Sequence, residues 1–413
     1  MVSSDGKKRK LAVDRSDELK RRINEYREAS KDIPTGFKLE SEYAARKIKI
    51  LAFFNATEKD WNDWHWQIQN RISDVQILQK FLLLSDEEVK QLTEVSKTCR
   101  WAVSPYYLSL MDPEDSNCPV RMQAIPSIRE IQDSTGEHDP MGEEYTSPAP
   151  RITRRYADRL IINVTNQCAM FCRHCQRRRD IGEVDKPSPV LEIEAAIDYI
   201  RNSPEVRDVL ITGGDLFTLT DDRLDWILSE LDKIEHVEIK RIGSRTPVTM
   251  PQRITPELCN MLEKHHPLYV NTHFNHPKEV TREALQATRL LAKAAIPLGN
   301  QSVLLKGINN DKHVMKKLNH ELLKIHVRPY YIFHAKAVKG TTHFIPTVQD
   351  GLDIMEHLRG YTSGLAVPWY IINAPGGKGK TPLVPQYLLS IGPDYVMFRT
   401  WEGEVFRYPN GKL

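Results

Sequence analysis

From residue 159 onward, short apolar runs rich in β-branched residues alternate with longer amphipathic stretches. The apolar runs are RLIINVT, DVLITGG, VEIKRIGS, LYVNTHF, PLGNQSVLL, VRPYYIFHA and VPWYIINA. Helical patterns between them lie near 189–203, 221–234, 255–264, 280–294, 311–325 and 347–359. This alternation predicts a parallel sheet built of β/α units. Six units favour an α/β fold with a partial TIM barrel, (β/α)6, although a doubly wound sheet has the same local pattern.

The remainder of the chain divides by composition into flanking segments. We expect a helical N-terminal region over 1–105, an ordered connection rich in Pro, Asp and Ser over 106–154, and the α/β core over 155–375. Residues 376–413 are predicted to form a glycine-rich loop and a C-terminal hairpin in YVMFRTWEGEVFRY, with its turn at Glu402-Gly403. Within the first region, WNDWHWQIQNRI predicts one helix with a buried stripe.

Composition excludes several classes of protein. The net charge of +3 does not by itself imply nucleic-acid binding. No apolar run approaches the ~20 residues of a membrane span, and the polar start lacks a secretory pattern. We therefore expect a cytoplasmic protein with no membrane partner and with reduced thiols. The six cysteines do not have the layout of a disulfide framework.

Polar residues follow the predicted strands at the point where each strand ends. Because ligands bind at the carboxyl ends of strands in such sheets, these residues predict one active site. In chain order they are CAMFCRHC after the first run, GGD after the second, SRTP after the third, His273 and Asn275 closing the fourth, Gln301 in the fifth, Lys336 after the sixth, and Asn373 with PGGKGK after the seventh.

Cys168, Cys172 and Cys175 have the spacing CxxxCxxC. One interpretation is a structural zinc bound by the three cysteines and His174, but adjacent residues seldom enter one small coordination sphere. Chance clustering explains poorly three cysteines in a polar loop beside arginines. A [4Fe–4S] cluster ordinarily takes four cysteines, so three would leave one iron open to a substrate or cofactor. We favour this catalytic cluster.

The stretch APGGKGKTP at 374–382 first suggests a phosphate loop. The Walker pattern would need glycine at 374, where this chain has alanine, and no long helix is evident behind it. A lysine in such a loop could instead form a Schiff base with the aldehyde of a planar cofactor. A solvated loop lysine is the ordinary alternative.

The cysteine spacing after a first strand, with GGD after a second, resembles the radical S-adenosylmethionine (SAM) enzymes. Further blocks resemble one branch of that family, the 2,3-aminomutases, over most of residues 60–385. These blocks are WNDWHWQIQNRI, PYYLSLMDP, RYADR, CRHCQRRR, ITGGD, GSRTPV, NTHFNHP, NQSVLLKGIN, RPYYIFHA and PGGKGKTP. The resemblance implies an isomerase that moves an amino group between neighbouring carbons by radical chemistry.

The resemblance also implies three cofactors: a [4Fe–4S] cluster on the three cysteines, SAM, and pyridoxal 5′-phosphate (PLP) bound as an imine to Lys380. Arg155, Tyr156 and Arg159 match positions of PLP contacts, and an arginine fork suits a phosphate. The positions expected near SAM are Gly213, Gly214, Asp215, His273 and Gln301.

Substrate preference depends on three further positions. Arg177 matches the family residue that holds the substrate α-carboxylate. Lysine-specific members use two aspartates for the ε-ammonium, and the equivalent positions here are Lys336 and Asn373. A carboxylate fits these residues better than an ammonium, so the resemblance implies a glutamate 2,3-aminomutase that converts L-glutamate to L-β-glutamate. A mutase for lysine or another amino acid remains open, as does, more remotely, an iron–sulfur or zinc RNA-binding protein that uses KKRK and CRHCQRRR.

The remaining expectations concern metals and partners. Lysine-specific relatives carry C-terminal cysteines that bind zinc, and this chain has no cysteine after Cys259, so we expect no zinc. The family implies a low-potential electron donor such as a flavodoxin or ferredoxin. A homo-oligomer is also expected.

Overall fold

The computed structural model describes residues 4–411. Its first hundred residues are helical: α1 (Ser4–Asp32), α2 (Glu40–Phe53), α3 (Glu58–Asn62), α4 (Trp64–Gln69), α5 (Val75–Leu78) and α6 (Asp86–Ser96). The single helix predicted in WNDWHWQIQNRI is wrong, because the segment forms both α3 and α4. Asp63 interrupts it by accepting a hydrogen bond from the His65 backbone N–H at 2.9 Å, which caps a new helix.

The connection that follows is ordered and deeply packed. It holds three short helices and a two-residue strand: α7 (Pro105–Ser109), α8 (Pro119–Ala124), α9 (Arg129–Gln132) and β1 (Ile152–Thr153). Tyr106, Tyr107 and Met111 are buried in the main hydrophobic core. This segment therefore packs into the main hydrophobic core, and it also supplies side chains to the polar edge of the sheet.

The core is one sheet of nine strands in sequential order, β1 to β9. Its parallel members are β2 (Arg159–Asn163), β3 (Asp208–Thr212), β4 (Ile239–Gly243), β5 (Leu268–Thr272), β6 (Leu298–Leu304), β7 (Arg328–His334) and β8 (Trp369–Ala374), and β9 (Gly379–Leu383) runs antiparallel to β8. A doubly wound sheet reverses its strand order at a switch point, whereas this order does not reverse. The predicted partial TIM barrel is confirmed.

Helices connect the parallel strands close to the predicted positions. They are α10 (Val190–Arg201), α11 (Asp221–Asp232), α12 (Thr246–Thr249), α13 (Pro256–Leu262), α14 (Arg282–Lys293), α15 (Lys312–Lys324) and α16 (Val348–Leu358). Each of the six longer helices buries apolar residues on one face, as Ile193, Ile197 and Ile200 do in α10. The strands alternate buried and half-buried residues, so one sheet face meets these helices and the other lines an internal cavity.

The C-terminal residues form a separate antiparallel sheet, β10 (Leu388–Ile391), β11 (Tyr395–Arg399) and β12 (Val405–Pro409). The predicted hairpin is β11–β12, and its turn contains Glu402 and Gly403, whose φ of +89° suits glycine. Strand β10 was not predicted. The division into four segments stays a prediction. Within residues 4–411, no helix is long and apolar enough to cross a membrane.

Candidate active site

A cavity of about 310 Å³ lies inside the curved sheet and opens at the carboxyl ends of its strands. The residues to which the resemblance assigns a role all line this cavity: Arg155, Tyr156, Arg159, Cys168, Cys172, Cys175, Arg177, Gly213, Gly214, Asp215, His273, Gln301, Lys336, Asn373 and Lys380. Asn275 does not line it, and only Arg245 of SRTP and Lys380 of PGGKGK do. Residues as far apart in sequence as 155 and 380 therefore meet in one place. Their individual roles stay predictions.

The cysteine loop follows β2 and has little regular structure, so other segments hold it in place. Arg71 donates a hydrogen bond to the Cys168 carbonyl at 2.6 Å, and the Phe171 N–H donates to the Ala102 carbonyl at 3.1 Å. Arg173 is fully buried and forms a two-point ion pair with Glu130, at 2.9 and 2.6 Å. Contacts from the helical N-terminal region and from the connection thus hold the cysteine loop in place.

The three thiols lie close enough to influence one another. Burial raises the pKa of Cys175 to about 11, with a further contribution from Cys172. Burial also raises the pKa of Cys168 well above its ordinary value, and Asp215 and the other two cysteines add to this effect. Cys168 and Cys175 are therefore protonated when no metal is bound, and iron must displace these protons on binding. Among residues 4–411, no three His, Cys, Asp or Glu side chains are grouped as ligands for a single metal ion.

Gly213 and Gly214 allow the end of β3 to touch the cysteine loop. A Cβ on Gly213, whose φ is +132°, would lie 2.5 Å from the Thr165 carbonyl oxygen, and one on Gly214 would collide with the Gln167 carbonyl. The Gly214 N–H donates to Thr165 O at 2.5 Å, and the Asp215 N–H donates to Gln167 O at 2.7 Å. The GGD motif therefore positions the residues directly before the first cysteine.

Both oxygens of the buried Asp215 carboxylate are occupied by protein donors. Oδ1 accepts from the Ser244 hydroxyl at 2.6 Å and Oδ2 accepts from the Arg245 backbone N–H at 2.8 Å. Asp215 thus holds the loop after β4 in place, and Arg245 of that loop lines the cavity.

His273, directly after β5, is joined to Gln301 in the middle of β6. The His273 Nδ1–H donates to the Gln301 carbonyl at 2.9 Å. Burial lowers the pKa of His273 to about 4, so the ring is neutral at ordinary pH. With the proton on Nδ1, the other ring nitrogen is a hydrogen-bond acceptor.

Lys380 lies on a strand, and the sequence had placed it in a loop. It is the second residue of β9 and pairs with Asn373 of β8. The glycine-rich residues form the tight turn between these strands, with positive φ at Gly376 (+68°), Gly377 (+75°) and Gly379 (+96°). A Cβ on Gly377 would lie 3.0 Å from the Met141 carbonyl oxygen, so the glycines let the turn pack against the connection.

The Lys380 amine lies in an aromatic and cationic environment. Its Nζ lies 4.8 Å from the Tyr331 ring centroid and 5.3 Å from that of Phe333. Burial, together with the guanidinium groups of Arg241 and Arg159, lowers the pKa of Lys380 to about 8. About a tenth of this amine is therefore unprotonated at pH 7, and the unprotonated amine is the nucleophilic form.

Tyr156 connects Lys380 to Arg159, the first residue of β2. Its hydroxyl accepts a hydrogen bond from the Lys380 backbone N–H at 3.0 Å, and its ring lies 3.9 Å from the Arg159 guanidinium carbon. Arg155, Tyr156 and Arg159 thus lie near Lys380, and their role as PLP contacts stays a prediction.

Glu143 of the connection holds three arginines, and sequence reasoning missed it. Its carboxylate pairs with Arg155, with Arg177 at 3.3 Å and with Arg179 at 2.8 Å. Burial opposes ionisation, but Arg177, Arg155 and Arg179 outweigh it and lower the pKa of Glu143 to about 2. The only available signal was composition, since a buried arginine cluster requires acidic partners.

Lys336 and Asn373 line the same cavity as Lys380. The Lys336 amine donates to the Gln176 side-chain oxygen, and burial together with Arg155 and Arg177 lowers the pKa of Lys336 to about 7. Asn373 Nδ2 is buried and has no hydrogen-bond partner among the described residues. Gln176, inside the cysteine loop, is a second residue that sequence reasoning missed.

The cavity wall is strongly cationic. Among the described residues that line it, seven are Lys or Arg and two are acidic: Arg155, Arg159, Arg177, Arg241, Arg245, Lys336 and Lys380 against Asp180 and Asp215. Arg155 Nε and Arg177 Nε are buried without a partner within residues 4–411. Unpartnered buried donors are costly, so this wall suits anionic ligands.

Comparisons with known proteins agree with this geometry. The radical SAM superfamily model matches residues 162–318, and the lysine-2,3-aminomutase model matches residues 355–412. The chain is 59% identical over 398 residues to a glutamate 2,3-aminomutase of Clostridioides difficile, covering 96% of this chain and 94% of the relative. It is 51% identical over 357 residues to an L-lysine 2,3-aminomutase of Clostridium subterminale, covering 86% of each chain. The chain therefore belongs to the 2,3-aminomutase family of radical SAM isomerases.

Proposed function

We propose that this enzyme is a glutamate 2,3-aminomutase, which moves the amino group of L-glutamate from C2 to C3 and yields L-β-glutamate. The observation that carries the proposal is that Lys336 and Asn373 line the same cavity as Lys380. The 59% identity to a glutamate 2,3-aminomutase supports it.

The donor set fits the three cofactors that the family uses. Three thiols lie together in the cysteine loop, and unpartnered arginine nitrogens and an amide lie beside the lysine. The cluster with SAM would supply a carbon radical that abstracts hydrogen from an unactivated carbon, and PLP would supply a conjugated ring over which an unpaired electron spreads. Cys168, Cys172 and Cys175 would hold the cluster, and Lys380 would hold PLP.

The residues around Lys380 have separate tasks in this proposal. Tyr156 fixes the backbone of Lys380, and Arg155 and Arg159 would hold the cofactor phosphate. The lowered pKa of Lys380 keeps part of the amine unprotonated and ready to react with an aldehyde. Asp215, His273 and Gln301 would shape the SAM side of the cavity.

The substrate is bound at both ends. Arg177 would take the α-carboxylate, and Lys336 with Asn373 Nδ2 would take the side-chain carboxylate. A lysine substrate would bring its ammonium against Lys336. An unpaired buried charge costs several kcal/mol, and each 1.4 kcal/mol is about tenfold in affinity. Lysine should therefore bind at least roughly a hundredfold more weakly than glutamate.

Product analysis tests the proposal. The protein is reconstituted anaerobically with iron, sulfide and PLP, and is given SAM, reductant and a panel of amino acids that includes glutamate, aspartate and lysine. Mass spectrometry should find 3-aminoglutarate as the main product. Predominant β-lysine would overturn the substrate assignment, and absence of any β-amino acid from loaded enzyme would overturn the aminomutase assignment.

Several further assignments complete the proposal: a flavodoxin or ferredoxin as electron donor, a homo-oligomer, a cytoplasmic location, and no zinc, nucleic acid or membrane partner.

Ion pairing in the CRHCQRRR stretch argues against RNA binding, because Arg173 and Arg178 pair with Glu130 while Arg177 and Arg179 pair with Glu143. These arginines do not form a free basic patch. Light scattering would test the oligomer, and salt-dependent RNA binding would contradict the nucleic-acid assignment.

A further inference from the structure

Arg245 lies next to the cysteine loop and contacts one of its thiols. It follows β4, its side chain is 8% exposed, and its Nη1 donates to Cys172 Sγ at 2.9 Å. Cys172 is one of the three proposed cluster ligands, so this is a fixed cation beside a ligand sulfur. An arginine in this position always carries its charge.

The guanidinium is held from four sides, so its direction is set by the fold. Nε donates to the His273 carbonyl at 3.0 Å, and Nη2 donates to Gln123 and, at 2.8 Å, to Glu279. The Arg245 backbone is itself held by Asp215. Arg245 therefore joins the ends of three strands to the cysteine loop.

Glu279 is the counter-charge of this arginine and is fully buried. Its carboxylate also accepts hydrogen bonds from the Tyr107 hydroxyl at 2.6 Å and the Asn275 N–H at 2.6 Å. The cation lies directly on the thiol sulfur, whereas the carboxylate lies behind the guanidinium. The pair therefore presents its positive end to Cys172.

We propose that Arg245 raises the reduction potential of the iron–sulfur cluster by its hydrogen bond to Cys172, and that Glu279 limits this effect. The inference rests on the proposed cluster at the three cysteines. Reduction adds one electron from the low-potential donor and hence one negative charge to the cluster. A donor cation at a ligand sulfur stabilises that charge, and hydrogen bonds to the sulfurs are among the factors that set such potentials.

The test is a redox titration of reconstituted holoenzyme, monitored by electron paramagnetic resonance, in three forms: wild type, Glu279→Gln, and the double variant Arg245→Met/Glu279→Gln. Glu279→Gln leaves the arginine uncompensated and should raise the midpoint potential. The double variant removes cation and anion together, avoids a stranded buried carboxylate, and should fall below Glu279→Gln and below wild type. We expect each variant to differ from wild type, in opposite directions, by about tenfold in the ratio of reduced to oxidised cluster at a fixed potential, which is about 59 mV for one electron.

The opposite signs separate electrostatics from damage to the fold, because a loosened site would move both variants in the same direction. Equal potentials in all three forms, or shifts of one sign, would overturn the inference. If the double variant assembles no cluster, Glu279→Gln decides alone: a rise supports the inference and no rise overturns it. A wild type without a reducible cluster would instead overturn the proposed function.

Discussion

The cysteine loop and the hairpin of β8 and β9, which carries Lys380, are two parts of one cavity wall. They are stabilised differently. The loop is held by buried ion pairs and by backbone contacts that only glycine permits, as Arg173–Glu130 and Gly213 illustrate. On the lysine side, Asn373 Nδ2 has no partner among the described residues, and burial lowers the pKa of Lys336 and Lys380. Protein contacts thus fix most of the first region, although Arg177 Nε there also lacks a partner, and we expect ligands to complete the second region.

The largest effect is expected on the lysine side. Lys380→Ala should lower turnover by roughly a thousandfold or more, because the amine that holds PLP is removed. Lys378 is the matched control, since it lies two residues before Lys380, in the turn that precedes β9, and is exposed. Turnover and PLP retained after gel filtration would be measured for both variants. Loss in Lys378→Ala with retention in Lys380→Ala would reverse the assignment.

Substrate preference should be the next most sensitive property. The double variant Lys336→Asp/Asn373→Asp replaces the cationic end of the cavity by two carboxylates. We expect kcat/KM for glutamate to fall about a hundredfold and activity on lysine to appear, because the ammonium gains partners that glutamate's carboxylate loses. Competition between the two amino acids, read by mass spectrometry, measures the change. A variant that still prefers glutamate would show that other residues set specificity.

A smaller effect is expected where the two regions meet at Glu143. Glu143→Gln removes the negative charge shared by Arg155, Arg177 and Arg179, which then repel one another. KM for glutamate should rise about tenfold and PLP retention should weaken, while the free energy of unfolding falls by about 3 kcal/mol. The adjacent, exposed Glu144→Gln is the control and should match wild type. Unchanged KM and PLP retention in Glu143→Gln would show that the arginines need no such acceptor.

The smallest effect is a pH dependence of glutamate binding. The pKa of Lys336 is lowered to about 7, and a carboxylate binds the charged form. Binding is therefore strongest well below pH 7 and weakens as the pH rises through 7, with KM rising about fivefold from pH 7 to 8 as the charged fraction falls. Lys336→Arg keeps its charge throughout this range, so its KM should stay level. Parallel profiles for the two proteins would show that another group is responsible.

Sequence reasoning located the site well because β/α units bring the carboxyl ends of parallel strands to one edge. Local motifs such as CxxxCxxC and GGD therefore sufficed to predict residues that share a cavity. Partnerships across long sequence separations did not follow from any local pattern. Glu143 meets Arg177 across 34 residues, and Arg245 meets Cys172 across 73 residues.

Local structure was predicted less well where a tertiary contact or a cap decides it. The break at Asp63 depends on one capping carboxylate, which the helical spacing of tryptophans conceals. The strand position of Lys380 depends on pairing with β8, and a glycine-rich stretch alone resembles a loop. Strand β10 likewise forms only by pairing with β11.

Asn373, proposed to contact the substrate, pairs directly with Lys380, proposed to hold PLP. The positions of these two residues therefore depend on each other. Opposite residues on antiparallel strands share a face, so both side chains point together. Exchanging residue 373 alone would alter which amino acid is accepted while the anchor stays in place. Inserting or deleting one residue in the turn would change the register and send one of the two side chains to the other face, which would end all activity at once. Such a scaffold tolerates substitution far better than any change in length.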